Sequence, residues 1–393
     1  MGEIYRLSNK VQNYDWGSCT MLAGMRGESA PSAQPEAEVW VGAHPSAPCI
    51  VHLPTGDMPL NEWVAHAPED VLPTGWEKDF FPFLFKILAI DAPLSIQVHP
   101  SDEQAQTGFA AENNAGVKLD DPARNYKDPH SKPETLIALT EVQALTGVRP
   151  ADELQRIAER LGLTWLSELL PASSDKQLLE SVLRLDNAAA EQAVRQTVER
   201  AALTAQEPGL DECLQKLTGV IAEVDQKHPG DRGLLVATVM NLVHLKPGDS
   251  AHTPDGQVHA YVSGCAVEIM NPSDNVMRAG LTSKHIDIDE LISILADSQP
   301  APQIEGPTPA EGPLGRYRMW DHRLSVTRVR ATGGPIELTL AGTSAVLATK
   351  GELNIQAGQQ SFELKPTESL LHVGSETAVT VTGTGEAFIA AYV

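Results

Sequence analysis

The feature that most limits the possible folds is a block of helical periodicity enclosed on both sides by β texture. In Asp152-Glu-Leu-Gln-Arg-Ile-Ala-Glu-Arg-Leu the apolar residues fall at 154, 157, 158 and 161, one face of a 3.6-residue helix. Pro150 and Asp152 supply its start. Leu178, Leu179, Val182 and Leu183 repeat the pattern, and Ala189 to Leu203 does so more weakly. Before this block, Val39-Trp-Val-Gly, Leu94-Ser-Ile-Gln-Val-His and Thr135-Leu-Ile-Ala-Leu read as strands between turn signals. β texture returns over Leu234 to Leu245, Ala260 to Val262 and Ala266 to Met270, and a short helix follows at 289–295. A breaker-rich connector holds Pro300, Pro302, Pro307, Pro309 and Pro313. Beyond it the chain alternates as short strands about ten residues apart, the pattern of a sandwich or barrel.

Leu245-Lys-Pro-Gly-Asp-Ser resembles Leu364-Lys-Pro-Thr-Glu-Ser, and each opens a turn into a β run. A duplicated β unit would produce this. With 42% hydrophobic and 21% charged residues, the 393-residue chain is globular in composition, which excludes a mostly disordered protein. Its 29 Lys+Arg against 52 Asp+Glu give a net charge of −23. That field repels phosphate backbones and anionic lipid, so no nucleic-acid or membrane partner is expected. It also repels a small anion, unless basic residues gather locally. The N-terminal residues do not read as a signal peptide, and no run approaches the roughly 18 apolar residues of a membrane span. Cys19, Cys49, Cys213 and Cys265 lack CxxC pairing. A reduced, cytoplasmic protein is expected.

On a strand, residues two apart share a face, so Gln97 and His99 point into one pocket. Lys132 and Glu134 have the same spacing. Gly248-x5-Pro254-x-Gly256-x2-His259 marks a turn between strands, with Tyr261 on the same face as His259. Two imidazoles, a carboxylate and an amide oxygen suit Zn²⁺ or another divalent ion that keeps open positions. Lys86 is the single charge within the apolar run Phe80 to Ile90, which makes it either functional or paired, with Glu38 or Asp91 as partner.

The Gly-x5-Pro-x-Gly-x2-His spacing resembles the second metal motif of the cupin superfamily, with Ser263 in place of the usual Asn. Over nearly its whole length the chain resembles type I mannose-6-phosphate isomerases. The signatures are Gln12-Asn-Tyr-Asp-Trp-Gly-Ser18, Glu38-Val-Trp-Val-Gly-Ala-His-Pro45 and Pro82-Phe-Leu-Phe-Lys-Ile-Leu88. Stronger still are Pro93-Leu-Ser-Ile-Gln-Val-His-Pro100, Asn125-Tyr-Lys-Asp-Pro-His-Ser-Lys-Pro-Glu134 and Ser273-Asp-Asn-Val-Met-Arg-Ala-Gly-Leu-Thr282. The resemblance implies a mainly β fold with an inserted α domain: two cupin-like jelly-roll barrels plus a helical domain. The expected division is 1–150 and 233–312 for the first barrel, 151–232 for the helical insert, and 313–393 for a C-terminal barrel without metal, carrying only His372 near its corresponding motif. Sequence departures from the family are Ser101-Asp102-Glu103 after the His99-Pro100 pair and a one-residue shift of the histidine at His130.

The implied activity interconverts D-mannose 6-phosphate and D-fructose 6-phosphate through a cis-enediol. The resemblance implies one Zn²⁺ per chain on Gln97, His99, Glu134 and His259, with Mn²⁺ or Co²⁺ as alternatives. It implies a catalytic Arg278, whose competing role is an ion pair with Asp274. Glu268, between apolar neighbours, suits a base because burial raises a carboxyl pKa. Lys86 and Lys132 are candidate proton carriers. Ser95 and Lys284 match phosphate contacts, Trp16 and Tyr261 form apolar walls, and Asp274 joins the substrate contacts. The partner is then a small sugar phosphate, and the chain a monomer or homodimer. Two other readings compete: a sugar-binding cupin without isomerase activity, and an Fe(II) oxygenase. The first should lack Arg278 or Glu134; the second does not explain Gln97 or the basic residues. The isomerase reading predicts that Lys86, Lys132, Arg278 and Lys284 converge on one pocket.

Overall fold

Residues 259–270 and 377–392 form two long strands, each at the centre of its own antiparallel sheet in the computed structural model, which describes residues 2–76 and 80–393. The chain opens with β1 (Glu3–Ser8), β2 (Lys10–Gln12), α1 (Met21–Arg26), β3 (Glu38–Val41), β4 (Ile50–Leu53) and β5 (Gly56–Pro59). Next come α2 (Leu60–His66), α3 (Pro68–Val71), β6 (Leu84–Ile90), β7 (Ile96–Val98), α4 (Asp102–Asn114), β8 (Glu134–Ala138) and β9 (Val142–Val148). The helical run is α5 (Ala151–Leu161), α6 (Thr164–Leu169), α7 (Asp175–Leu183), α8 (Asn187–Thr204), α9 (Glu212–Lys227) and α10 (Gly233–Val239). Strands resume with β10 (Met240–Leu245), β11 (Ser250–Thr253), β12 (His259–Met270) and β13 (Met277–Gly280), then α11 (Ile288–Ile294) and β14 (Ile304–Glu305). The last strands are β15 (Leu314–Tyr317), β16 (Leu324–Thr332), β17 (Ile336–Leu340), β18 (Thr343–Ala357), β19 (Gln360–Leu364), β20 (Ser369–Val373) and β21 (Thr377–Tyr392).

The first sheet runs β14-β11-β8-β12-β6-β3-β2, and the second runs β15-β16-β21-β18-β20-β1-β4-β5. Read from the other end, the first sheet's β3-β6-β12-β8-β11 has the same chain order as the second sheet's β15-β16-β21-β18-β20. The repeated hexapeptides form the same turn in both. Lys246 N donates to Asp249 Oδ2 and Lys365 N to Glu368 Oε2, each at 2.9 Å. Gly248 N donates to Ala138 O, and Thr367 N to Ala348 O, each at 2.8 Å. Gly248 and Thr367 both have positive φ, 94° and 74°; only the first position spares itself the steric penalty by being glycine.

α5 buries Leu154, Ile157, Ala158 and Leu161, the face read from the sequence, and ends at Gly162 in the left-handed region. The helices from α5 to α10 share one core with Ile96, Val98, Leu145, Ala260 and Met277, so they pack behind the strands that carry the metal-type motifs.

Three sequence expectations are corrected. Residues 233–239 are helical rather than a strand. They are buried on every side, and an apolar run without a polar face has no period to separate strand from helix. Gly233 at the start of α10 lies directly on β13: a Cβ there would sit 2.6 Å from Leu281 N. The expected short C-terminal strands merge into the 15-residue β18 and the 16-residue β21. Finally, β1, β4 and β5 hydrogen-bond into the second sheet, with Tyr5 opposite Leu371, so not all of 1–150 belongs with the first sheet. No helix among the described residues is long and apolar enough to cross a membrane.

Candidate metal and substrate site

β12 supplies the centre of the site. Its first residue, His259, lies opposite Gln97 on β7, and Gln97 in turn lies opposite Arg278 on β13. Further along β12, Glu268 faces Lys86 on β6 and Met270 faces Glu134 on β8. Sheet register therefore joins four motifs that are far apart in the chain.

His99, Glu134 and His259 are buried, and their ligand atoms lie within 4.8 Å of one another. Glu134 Oε1 is 3.3 Å from His99 Nε2, and its Oε2 is 3.3 Å from His259 Nε2. The other ring nitrogens are committed: His99 Nδ1 lies 2.8 Å from Asn275 O, and His259 Nδ1 lies 3.1 Å from Gln257 O. Because a carbonyl only accepts, each Nδ1 carries the proton and each Nε2 turns its lone pair toward Glu134, as a metal ligand requires. Gln97 Nε2 donates to Ser95 Oγ at 3.0 Å, which leaves its carbonyl oxygen available. Two imidazoles, a carboxylate and an amide oxygen fit zinc. Burial, aided by Lys132, pushes His99 down to about 4, so it is neutral at neutral pH. Burial works to raise Glu134, but Lys132 and the imidazoles outweigh it and hold the carboxyl well below its usual range. Lys132 Nζ is 2.7 Å from Glu134 Oε1 and 3.5 Å from His99 Nε2.

Beside this cluster is a second buried charge group. Lys86 Nζ is 3.5 Å from Glu268 Oε2, 3.9 Å from Glu38 Oε1 and 4.9 Å from the centre of the Trp40 ring. Burial opposes its charge, but Glu38, Glu268 and Glu134 more than restore it, so Lys86 stays an ammonium. Burial and the nearby Glu134 push Glu268 up to about 7. The Tyr261 hydroxyl is buried without a well-formed hydrogen bond. Burial, Glu268 and Glu134 hold its proton on well above the usual range.

Lys86, Lys132, Arg278 and Lys284 all line one cleft of about 550 Å³, together with Ser95, Gln97, Trp16 and Asp274. Glu134, His259, Tyr261 and Glu268 line a smaller space that shares Lys86, Ser95, Gln97 and Lys132 with that cleft. The sequence-derived site residues thus come together, although the chain's net charge is −23. The alternative pairing of Arg278 with Asp274 is not formed. Asp274 Oδ2 instead meets His44 Nε2 at 3.2 Å, and burial alone lowers the Arg278 pKa. Lys284 is lowered by burial and by Arg278, two like charges left facing one cleft. His130 packs on Phe80, with ring centroids 4.4 Å apart, and does not line the cleft.

Several lining residues had no assigned role from sequence. Trp40 sits inside a quoted motif two residues from Glu38, the partner the sequence offered for Lys86, and that pairing was the signal that could have promoted it. Tyr14 stacks on Trp16 at 5.9 Å on the cleft wall. Lys227 reaches the cleft from the end of α9, a solvent-type helix terminus with no local mark of function.

A profile of the type I phosphomannose isomerase catalytic domain matches residues 4–151. Mannose-6-phosphate isomerase of Escherichia coli K12 is 35% identical, with 97% of this chain and 98% of that protein covered. The chimpanzee mannose-6-phosphate isomerase is 32% identical over 75% of this chain and 73% of its own. The crystal structure of mannose 6-phosphate isomerase from Salmonella typhimurium, bound to substrate (f6p) and zinc, is 30% identical and covers 99% of both chains with a TM-score of 0.86. Shared identity along the full length of both chains, over the same fold, makes this protein a member of the type I phosphomannose isomerase family.

Proposed function

We propose that the protein is a zinc-dependent isomerase that interconverts mannose 6-phosphate and fructose 6-phosphate. The observation that carries this reading is the juxtaposition of the buried His99–Glu134–His259 cluster with a cleft whose cations Arg278 and Lys284 have no carboxylate ion pair among the described residues. Gln97, His99, Glu134 and His259 would hold the zinc, which when bound supplies a Lewis acid for the sugar oxygens. Ser95 and Lys284 bind the phosphate, and Trp16 walls the sugar chain. Aldose–ketose exchange removes the proton on C2 and returns one to C1, while a proton passes between O1 and O2. Glu268, titrating near 7, is the base matched to that task. Lys86 keeps Glu268 oriented, and Lys132 and Tyr261 stand within the same space to carry the oxygen proton. Arg278 stabilises the enediolate charge, a role worth about 10²- to 10³-fold for a single well-placed donor.

The two sheets are read as cupin-type jelly-roll barrels. The equal strand order and the repeated turn support this. β9 and β10 pair as β18 and β19 do, and the second pair is joined by a short turn, so 151–232 reads as an insertion at a hairpin. The first unit then draws on 1–150 and 233–312, lending β1, β4 and β5 to the second, 313–393. Four free thiols, with Cys49 and Cys265 buried, fit a reduced cytoplasmic setting, and a monomer is the simplest assembly. The test is a coupled assay for fructose 6-phosphate formed from mannose 6-phosphate. Turnover that chelation abolishes and zinc restores is expected; a zinc-loaded, folded protein without turnover overturns the reading.

A further inference from the structure

Two of the strongest motifs are joined to each other through Asn275 and Asp128, side chains that neither belong to the metal cluster nor line the cleft. Asn275, 0% exposed, is the centre of this contact. Its Nδ2 donates to Asp128 O at 2.7 Å and His130 O at 2.9 Å, and approaches Asp128 Oδ1 at 3.3 Å. Its Oδ1 accepts from Lys127 N at 2.7 Å and Asp128 N at 3.3 Å. Asp128 returns the contact: its Oδ2 accepts from Asp274 N at 2.9 Å and lies 3.1 Å from Ser273 Oγ, while its Oδ1 accepts from His130 N at 3.0 Å. The loop so held leads within a few residues to Lys132 and Glu134.

The same Asn275 acts in two other directions. Its main-chain oxygen accepts the Nδ1 proton of His99 at 2.8 Å, which fixes the tautomer and ring plane of that imidazole. Three residues on, Arg278 enters β13 opposite Gln97. One buried residue therefore reaches the loop before Glu134 with its side chain, and His99 and the strand entry of Arg278 with its main chain.

We propose that Asn275, locked to Asp128, is a positioning residue that joins the metal side of the site to the arginine side. The catalytic part of this inference rests on the isomerase reading; the metal part does not. A side-chain amide with every polar group bonded is a rigid link, and Ala at this position leaves the Asp128 carbonyl and the Lys127 and Asp128 N–H groups, all half-buried, without these partners. The loop then settles elsewhere, and the Asn275 backbone with it.

The experiment compares Asn275→Ala and the milder Asp128→Asn with the unaltered protein. Zinc affinity is read by competition with a chelating dye, and kcat and KM for mannose 6-phosphate are read at saturating zinc. For Asn275→Ala, zinc affinity is expected to fall about 10- to 100-fold. At saturating zinc, kcat is expected to stay down by roughly 10- to 100-fold, because Arg278 is still displaced, with KM changed much less. Asp128→Asn keeps one acceptor oxygen and should show smaller losses of the same kind. Folded Asn275→Ala with unaltered zinc affinity and kcat overturns the proposal. If that variant does not fold, folded Asp128→Asn with both values unaltered overturns it. Should the unaltered protein lack isomerase activity, the isomerase reading fails, while the zinc competition still decides the metal part.

Discussion

The two sheets share a strand order and a turn, but their interiors are opposite in character. The turn hydrogen bonds align Ala138 with Ala348, and register from there aligns the rest. Glu268, opposite Leu136, corresponds to Ile389, opposite Val346. Lys86 then corresponds to Thr327, Glu38 to Leu314 and Glu134 to Ser344. Each charged group of the first interior meets an uncharged one in the second. The result is a cleft of about 550 Å³ in one sheet and, in the other, an apolar remnant of about 10 Å³ lined by Val346, Ile389 and their neighbours. His372, near the second sheet's turn, has both ring nitrogens engaged, with Gly342 O at 3.1 Å and Thr377 Oγ1 at 3.0 Å. Burying Lys86, Glu38 and Glu268 costs desolvation that an apolar core avoids, so the first interior gives up stability for chemistry.

The difference between the two interiors should be lost most severely on changing Glu134, the proposed metal ligand between the two histidines. Glu134→Ala should lower zinc affinity by more than the roughly 10- to 100-fold of an outer-shell change, and turnover with it, as chelator competition and the coupled assay will show. Glu268→Gln should lower kcat by about 10²- to 10⁴-fold and remove the acid limb of the pH–rate profile. That limb reflects the carboxylate form, so unaltered kcat/KM rises with pH and levels off once Glu268 is ionised. An unchanged limb in the variant assigns the base elsewhere. The reciprocal change, Ile389→Glu, places a charge where no lysine waits. It should cost about 3 kcal/mol or more in denaturant unfolding, with zinc content unchanged in the folded fraction. The smallest effect is expected for His372→Ala: a loss of about 1–3 kcal/mol of stability, with zinc per chain and kcat unaltered. Reduced zinc content in that variant would make the second sheet a metal site.

That His99, Glu134, His259, Gln97, Arg278 and Lys86 gather in one region was legible because strand alternation and turn spacing are local, and the family motifs carry their order. What sequence left hidden was non-local. The pairing of Tyr5 with Leu371 spans almost the whole chain and leaves no local mark. α10 was hidden because a helix buried on all sides has no polar face to show its period. The competing Asp274–Arg278 pair rested on proximity in sequence, whereas the fold brings His44 to Asp274 from a loop more than 200 residues earlier. Lys227 was missed because an exposed lysine at a helix end is ordinary unless the fold turns it toward a cleft.

One interior, and not its counterpart in the second sheet, is proposed to be the zinc-dependent isomerase site. Titrating metal-free protein with zinc while following fructose 6-phosphate formation tests it most directly. Activity should rise from zero in proportion to zinc and saturate at one equivalent per chain. Full activity without zinc, or saturation only at two equivalents, would contradict this assignment.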